Sequence, residues 1–348
     1  MEMESITMPQ DGSRLSTNNW GLIGHEWAVE MLRQHILNDS LRHAYLITGA
    51  PGLGRRTLAL RLTQALTCAN PIAPVEPCGE CRSCKQVDGM QYPDLTVVQA
   101  EKEGGVLPVE RIRAVRQNLV LKPYQGKYRV VLFLRFQEAN ASAANALLKT
   151  LEEAPAHGIL LLTSDTSEQL LPTIVSRCEI MRLRPLPVER IEMALKKRGI
   201  SDNISKLVAH LSGGRPGAAF RLAGDEEALK FRERRLDDLK KMISAARVEK
   251  FELAEKMTNR KNEASERVRE TLQIWSSYWR DVLVAATDAS APLVNVDRRE
   301  EIHSLAKRVG IEDARLAVNG MESAIERIEM NVNARLLLEV TLLEMPHG

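Results

Sequence analysis

The chain has 348 residues, enough for two or three domains. A hydrophobic fraction of 44% and a charged fraction of 27% are those of an ordinary globular protein, and no run approaches the roughly 20 apolar residues of a membrane helix. A formal net charge of +2 gives no global field toward nucleic acid or membrane, and 4% aromatics leave few stacking platforms for bases.

The first residues carry Glu2, Glu4 and Asp11 and lack the apolar core of a signal peptide. Residues 1–19 therefore read as a disordered leader and the chain as cytoplasmic. Trp20–His25 leads into a helix near 26–39, with Ala28, Met31, Leu32 and Ile36 at helical spacing. Ala44–Thr48 reads as a buried strand. Gly49, Gly52 and Gly54 then make a loop with no Cβ atoms in the way, and helical periodicity resumes through Leu58–Leu62 to about Leu66. Strand, glycine loop and helix form a phosphate cradle, in which backbone amides and a helix N-terminus face an anion. The loop departs from the pattern G-x-x-x-x-G-K-[S/T]. Arg55 holds the lysine position, Arg56 the hydroxyl position, and Thr57 comes one residue late. An arginine supplies charge without the compact ammonium, and it cannot ligate Mg²⁺. The stretch predicts the fold strongly and hydrolysis weakly.

Four of the five cysteines fall together, Cys68, Cys78, Cys81 and Cys84, with the spacing C-x9-C-x2-C-x2-C. In a cytosolic chain this pattern favours a metal over disulfides. Four thiolates suit a closed tetrahedral Zn²⁺ of structural type; the spacing also admits an iron–sulfur cluster. Pro71, Pro74, Pro77 and Gly79 predict a knuckle with no regular structure of its own, held by its metal.

Asp94–Ala100 is the second predicted strand, and Val109–Leu121 an amphipathic helix with Ile112, Val115 and Leu119 on one face. Arg129–Leu134 is apolar enough for a parallel sheet covered on both sides. Asn140 can cap a helix that stops before Pro155. Ile159–Thr163 and Glu179–Leu183 complete five strands alternating with helices, a doubly wound α/β domain. Past Leu186 the strand signal ends. Val188–Lys197 and Asn203–Leu211 read as helices, Gly213–Gly217 as a break, and the remainder as charged helices anchored by Trp275, Tyr278 and Trp279. The last apolar helix is Asn331–Leu343.

Four motifs occur here in the order found in bacterial clamp-loader subunits of the AAA+ class. They are RHAYL from Arg42, the four-cysteine knuckle, NALLKTLEE from Asn145, and Ser176-Arg177-Cys178. The chain resembles that family over about residues 20–223. Beyond them it matches in helical character and in the closing NVNARLLLE stretch. The resemblance implies an AAA+ P-loop α/β domain with a parallel sheet over 20–185, the knuckle (68–84) inserted in it. A small helical lid over 186–224 and an all-α collar domain over 225–348 would follow.

In a hydrolysing member the third strand would end in an Asp-Glu pair, which orients Mg²⁺ and polarises the attacking water. Counted back from Asn145, those positions hold Leu134 and Arg135. Together with Arg55 and Arg56 this predicts a non-hydrolysing subunit. The resemblance implies that Arg177 is an arginine finger acting in trans, and that Zn fills the knuckle. It places Thr163 as a sensor of the γ-phosphate and Arg215 as a lid arginine. The degenerate nucleotide site would comprise Gly49, Gly52, Gly54, Arg55, Arg56, Thr57, Thr163 and Arg215, with ATP or ADP bound weakly or not at all. Implied partners are the gamma/tau ATPases and delta of a clamp loader, with the sliding clamp and primed DNA met through the complex and no membrane. Two alternatives stay open: an active ATPase motor of the gamma/tau type, and a zinc-dependent DNA-binding module. Cys178 reads as a small buried residue, and Lys149 with Glu152 as a surface pair.

Overall fold

The computed structural model of the protein describes residues 19–259, 264–330 and 332–346. The expected leader lies outside them apart from Asn19, which is buried and donates from its side-chain amide to the carbonyls of Leu22 and Gly24. The chain divides into two compact units: Met1–Leu186 with Arg215–Ala218, and Pro187–Gly214 with Ala219–Gly348.

The first unit is built on a parallel sheet of β1 (Ala44–Thr48), β2 (Leu95–Val98), β3 (Arg129–Phe133), β4 (Gly158–Ser164) and β5 (Glu179–Arg182), in the order β2-β3-β4-β1-β5. Thus β1 lies between β4 and β5, with Ala44 opposite Leu160 and Tyr45 opposite Glu179. Side chains alternate between two apolar layers, because successive Cβ atoms point to opposite faces of a strand. Tyr45, Ile47, Val130, Leu132 and Leu161 pack beneath α1 (Glu26–Leu37) and α2 (Arg55–Thr67). Ala44, Leu46, Val131, Phe133 and Leu162 face α4 (Val109–Val120), α5 (Ala141–Glu152) and α6 (Pro172–Val175). Asn140 caps α5, its Oδ1 accepting from the Ala143 amide at 2.8 Å.

One element departs from the sequence reading. The knuckle contains α3 (Arg82–Asp88), with Cys81 as its N-cap and Cys84 buried in its first turn. A helix of seven residues is too short to show apolar periodicity, and the prolines ahead of it mask its start.

The second unit is helical. It holds α7 (Val188–Lys197), α8 (Asp202–Leu211), all but the first residues of α9 (Pro216–Ala223), α10 (Glu226–Ile243), α11 (Arg247–Thr258), α12 (Ala264–Ala286), α13 (Arg299–Glu329) and α14 (Ala334–Glu344). Trp275 and Trp279 of α12 are fully buried at the centre of its core. A polar clamp pins the turn before α13: Arg232 grips Asp297 through two bonds of 2.8 Å and donates to Asn295 at 2.7 Å. No helix among the described residues is long and apolar enough to cross a membrane.

Candidate functional site

Three glycines shape the loop after β1, with φ of 142° at Gly49, 89° at Gly52 and 100° at Gly54. Gly52 also needs to lack a side chain, since a Cβ there would stand 3.1 Å from the Ala218 nitrogen. Its carbonyl accepts from the Gly217 amide at 2.8 Å, which ties the loop to the start of α9. Arg215 stands beside the same glycine.

The residue in the lysine position does not face an open cradle. Arg55, 10% exposed, makes an ion pair of 2.6 Å with Asp165, 33% exposed, just beyond the end of β4. The Asp165 carbonyl accepts from the Gly49 amide at 3.0 Å, so one acidic residue holds both the loop's entry and its cation. The sequence leaves Arg55 as a free cation for phosphate; here an internal carboxylate already neutralises it. Arg56 and Thr57 lie exposed on the first turn of α2.

The strand-end positions are equally occupied by structure. Leu134 is buried in the core layer beneath α1 and α2. Arg135 adopts a left-handed conformation (φ 50°) and pairs with Glu138 at 2.7 Å. Its amide donates to Thr163 Oγ1 at 2.9 Å, and that hydroxyl donates to the Phe133 carbonyl at 3.2 Å. Thr163 thus joins the ends of β3 and β4 with both of its roles taken.

Arg177 lies elsewhere. Its Nη1 donates to the Thr173 carbonyl of α6 at 2.9 Å, and its Nη2 lies 2.7 Å from Glu152 at the end of α5. Glu152 therefore pairs with Arg177 rather than with Lys149, as its spacing on α5 suggests. Burial pushes the neighbouring Cys178 thiol up to about 12, which leaves it protonated and unreactive at neutral pH.

The four knuckle cysteines converge, with all four Sγ atoms within 4.8 Å of one another. Cys68 Sγ lies 3.5 Å from that of Cys78 and 3.9 Å from that of Cys81. Sulfurs around a tetrahedral metal at ~2.3 Å stand about 3.8 Å apart, so the donor set fits such an ion. Amides already point at the sulfurs: Cys78 N at Cys68, Cys81 N at Cys78 and Cys84 N at Cys81. Burial works against ionising Cys81, yet the Cys84 and Ala69 amides and the neighbouring thiols bring it down to about 6. Burial pushes the Cys84 and Cys68 thiols up, so a cation is what would bring these two to the thiolate form. The knuckle is anchored on three sides. Trp20 Nε1 donates to the Val75 carbonyl, Gln64 to the Cys84 carbonyl, and Arg33 pairs with buried Glu76 at 2.9 Å.

Sequence reasoning brought together Gly49, Gly52, Gly54, Arg55 and Arg215, and the structure assembles these around one loop. It missed Asp165, and it paired Glu152 with Lys149 where the structure pairs it with Arg177. For Asp165 the sequence offers only an acid just after a predicted strand; that this strand lies beside β1 comes from the fold.

The glycine loop between β1 and α2, in a sheet ordered β2-β3-β4-β1-β5, defines a P-loop α/β domain of the AAA+ class, joined to a helical unit. The sequence pattern described as "DNA polymerase III, delta subunit" matches residues 24–187, and the one described as "DNA polymerase III, delta subunit, C terminal" matches residues 226–347. The chain belongs to this DNA polymerase III delta-subunit family. The delta' subunit of Pseudomonas aeruginosa is 37% identical over 186 residues, 52% of this chain and 56% of that protein. That of Bacillus subtilis is 26% identical over 334 residues, 92% of this chain and 95% of its own. The tau subunit of Salmonella typhimurium is 33% identical over 175 residues, covering 50% of this chain and 27% of tau. The matched segment thus spans little more than half of the Pseudomonas relative and about a quarter of tau.

Proposed function

We propose that this chain is a non-hydrolysing, delta-prime-type subunit of a DNA polymerase III clamp loader, and that it supplies Arg177 in trans to the ATP site of a neighbouring subunit. The observation that carries the first half is the Arg55–Asp165 ion pair. The cation of the phosphate cradle is already spent on an internal carboxylate. No acid stands at 134 or 135 to order Mg²⁺ or activate water. Similarity to tau keeps the motor reading as the competitor. The altered loop and strand end speak against it, and ATP or ADP bind this loop weakly or not at all.

In this reading the chemistry of Arg177 is electrostatic. A guanidinium presents planar paired donors that match phosphate oxygens, and on a γ-phosphate it stabilises the charge that spreads in the transition state. Supplying it from a second subunit makes hydrolysis depend on assembly. The gamma/tau ATPases and delta are the partners, and the sliding clamp and primed DNA are met through the complex. The four cysteines hold Zn as a structural ion that fixes the knuckle against α1 and α2; Zn supplies folding energy there and no catalysis.

The test is ATP turnover by the purified chain alone and in a complex with its own motor subunits. No turnover alone, stimulated turnover in the complex, and loss of that stimulation with Arg177→Ala are the expected results. Steady turnover by the chain alone would favour the motor reading. For the knuckle, replacing Cys81 and Cys84 together by Ser should release the metal, read by elemental analysis, and expose the knuckle to protease. Retained stoichiometric metal would show that other residues hold it.

A further inference from the structure

Arg177 is not a free arm. Its two terminal nitrogens are both engaged within this chain, one by the Thr173 carbonyl at 2.9 Å and the other by the Glu152 carboxylate at 2.7 Å. The carbonyl belongs to the short helix α6 that ends just before Arg177, so it curls the arm back onto its own segment. The carboxylate belongs to α5 and is the one anion among these partners, the third being the Ser176 hydroxyl at 3.5 Å from Nη1. Carboxylate and phosphate are bound by the same fork of guanidinium donors, so one can take the place of the other.

We propose that Glu152 is a positioning residue for Arg177: its carboxylate stands in for phosphate and parks the guanidinium on this chain's own surface until a neighbouring subunit presents nucleotide. The proposal rests on the reading of Arg177 as a finger. Exposure makes the exchange feasible. Arg177 is 36% exposed and Glu152 50%, so water already competes for both partners. Glu152 also borders an open recess of about 300 Å³ with Arg42 and His43. A terminal phosphate carries more charge than a carboxylate and meets the arginine where a second subunit excludes water. Both features strengthen its bonds over those of the parked pair. Parking keeps the guanidinium in one place and off other anions while no partner is bound.

The parked state competes with the engaged one, so its removal should show in apparent affinity rather than in the chemical step. In the assembled complex, Glu152→Gln should lower the KM for ATP by roughly two- to five-fold, the range spanned by an exposed ion pair, with kcat unchanged. The difference from the unaltered complex should vanish at high salt, because exposed pairs are screened. Glu152→Lys should move KM the same way and further. In an Arg177→Ala background Glu152→Gln should change nothing, since the two act as one unit. If Arg177→Ala leaves turnover intact, the finger reading fails and parking with it. If Arg177→Ala lowers turnover but Glu152→Gln leaves KM unchanged or raises it at low salt, parking alone is overturned. Coincident thermal unfolding of the variants checks that each is folded.

Discussion

Arg55 and Arg177 each lie beside one carboxylate at nearly the same distance, 2.6 and 2.7 Å, yet the two pairs do opposite things. Arg55 is enclosed at the base of α2, and its partner Asp165 is further fixed through its backbone to Gly49. That pair gives the glycine loop's cation an internal anion. Arg177 and Glu152 meet at an open surface, where exchange with water or another anion costs little. Bond length does not separate a closed site from an available one; burial and the second tether do.

The strongest way to break this comparison is to remove Asp165. Asp165→Ala leaves an arginine buried without its counter-charge, and should cost about 2 kcal/mol in urea unfolding. The figure stays at the low end because Asp165 keeps a third of its surface in water. The freed Arg55 should also raise the affinity of the loop for a fluorescent ATP analogue. A cost below ~0.5 kcal/mol with no gain in affinity would mean that the buried pair is no different in kind from the exposed one.

Asp94 sharpens the point, because three amides hold it more closely than its arginine does. It is 1% exposed. Its oxygens accept from the amides of Tyr124 at 2.6 Å, Gln125 at 2.7 Å and Gly126 at 3.0 Å, with Arg129 at 3.8 Å. Burial alone would raise its pKa; the three amides and Arg129 outweigh that and hold it below the ordinary carboxylate range. A lowered native pKa means that the charged form stabilises the fold above the unfolded-state value of about 4, and that this contribution fades as pH falls through the native value. Asp94→Asn should therefore cost about 1–2 kcal/mol at pH 7, and the gap to the unaltered protein should narrow below about pH 4. A gap that stays constant down to pH 3 would assign the loss to packing instead of charge.

The contrast also explains what the sequence could show. Strand β1, the glycine loop and α2 are contiguous, so periodicity and turn chemistry locate them without any tertiary information. Asn140 announces its helix in the same way, three residues from the amide it accepts. The partners of the two arginines are not local. Asp165 reaches Arg55 only because β4 is laid beside β1, and Glu152 reaches Arg177 only because the end of α5 meets α6. Strand order is set by crossovers over the sheet, and no spacing in the chain reveals it. The cysteine cluster was legible because its four thiols are close in sequence, and the fold brings their sulfurs within 4.8 Å of one another. The helix α3 was not, since its first turn is organised by thiol acceptors at Cys81 rather than by an apolar stripe.

The smallest effect is the most discriminating. If the exposed pair serves exchange and not stability, then Arg177→Ala and Glu152→Gln should each shift the urea midpoint by less than the equivalent of ~0.5 kcal/mol, while Asp165→Ala shifts it clearly. Removing the carboxylate leaves Arg177 hydrated and still held by the Thr173 carbonyl, and removing the arginine leaves Glu152 half in water, so neither change strands a buried charge. A loss above 1 kcal/mol from either substitution would show that the pair fastens α6 to α5, and Arg177 would then be a structural arginine whose loss in a complex says nothing about hydrolysis.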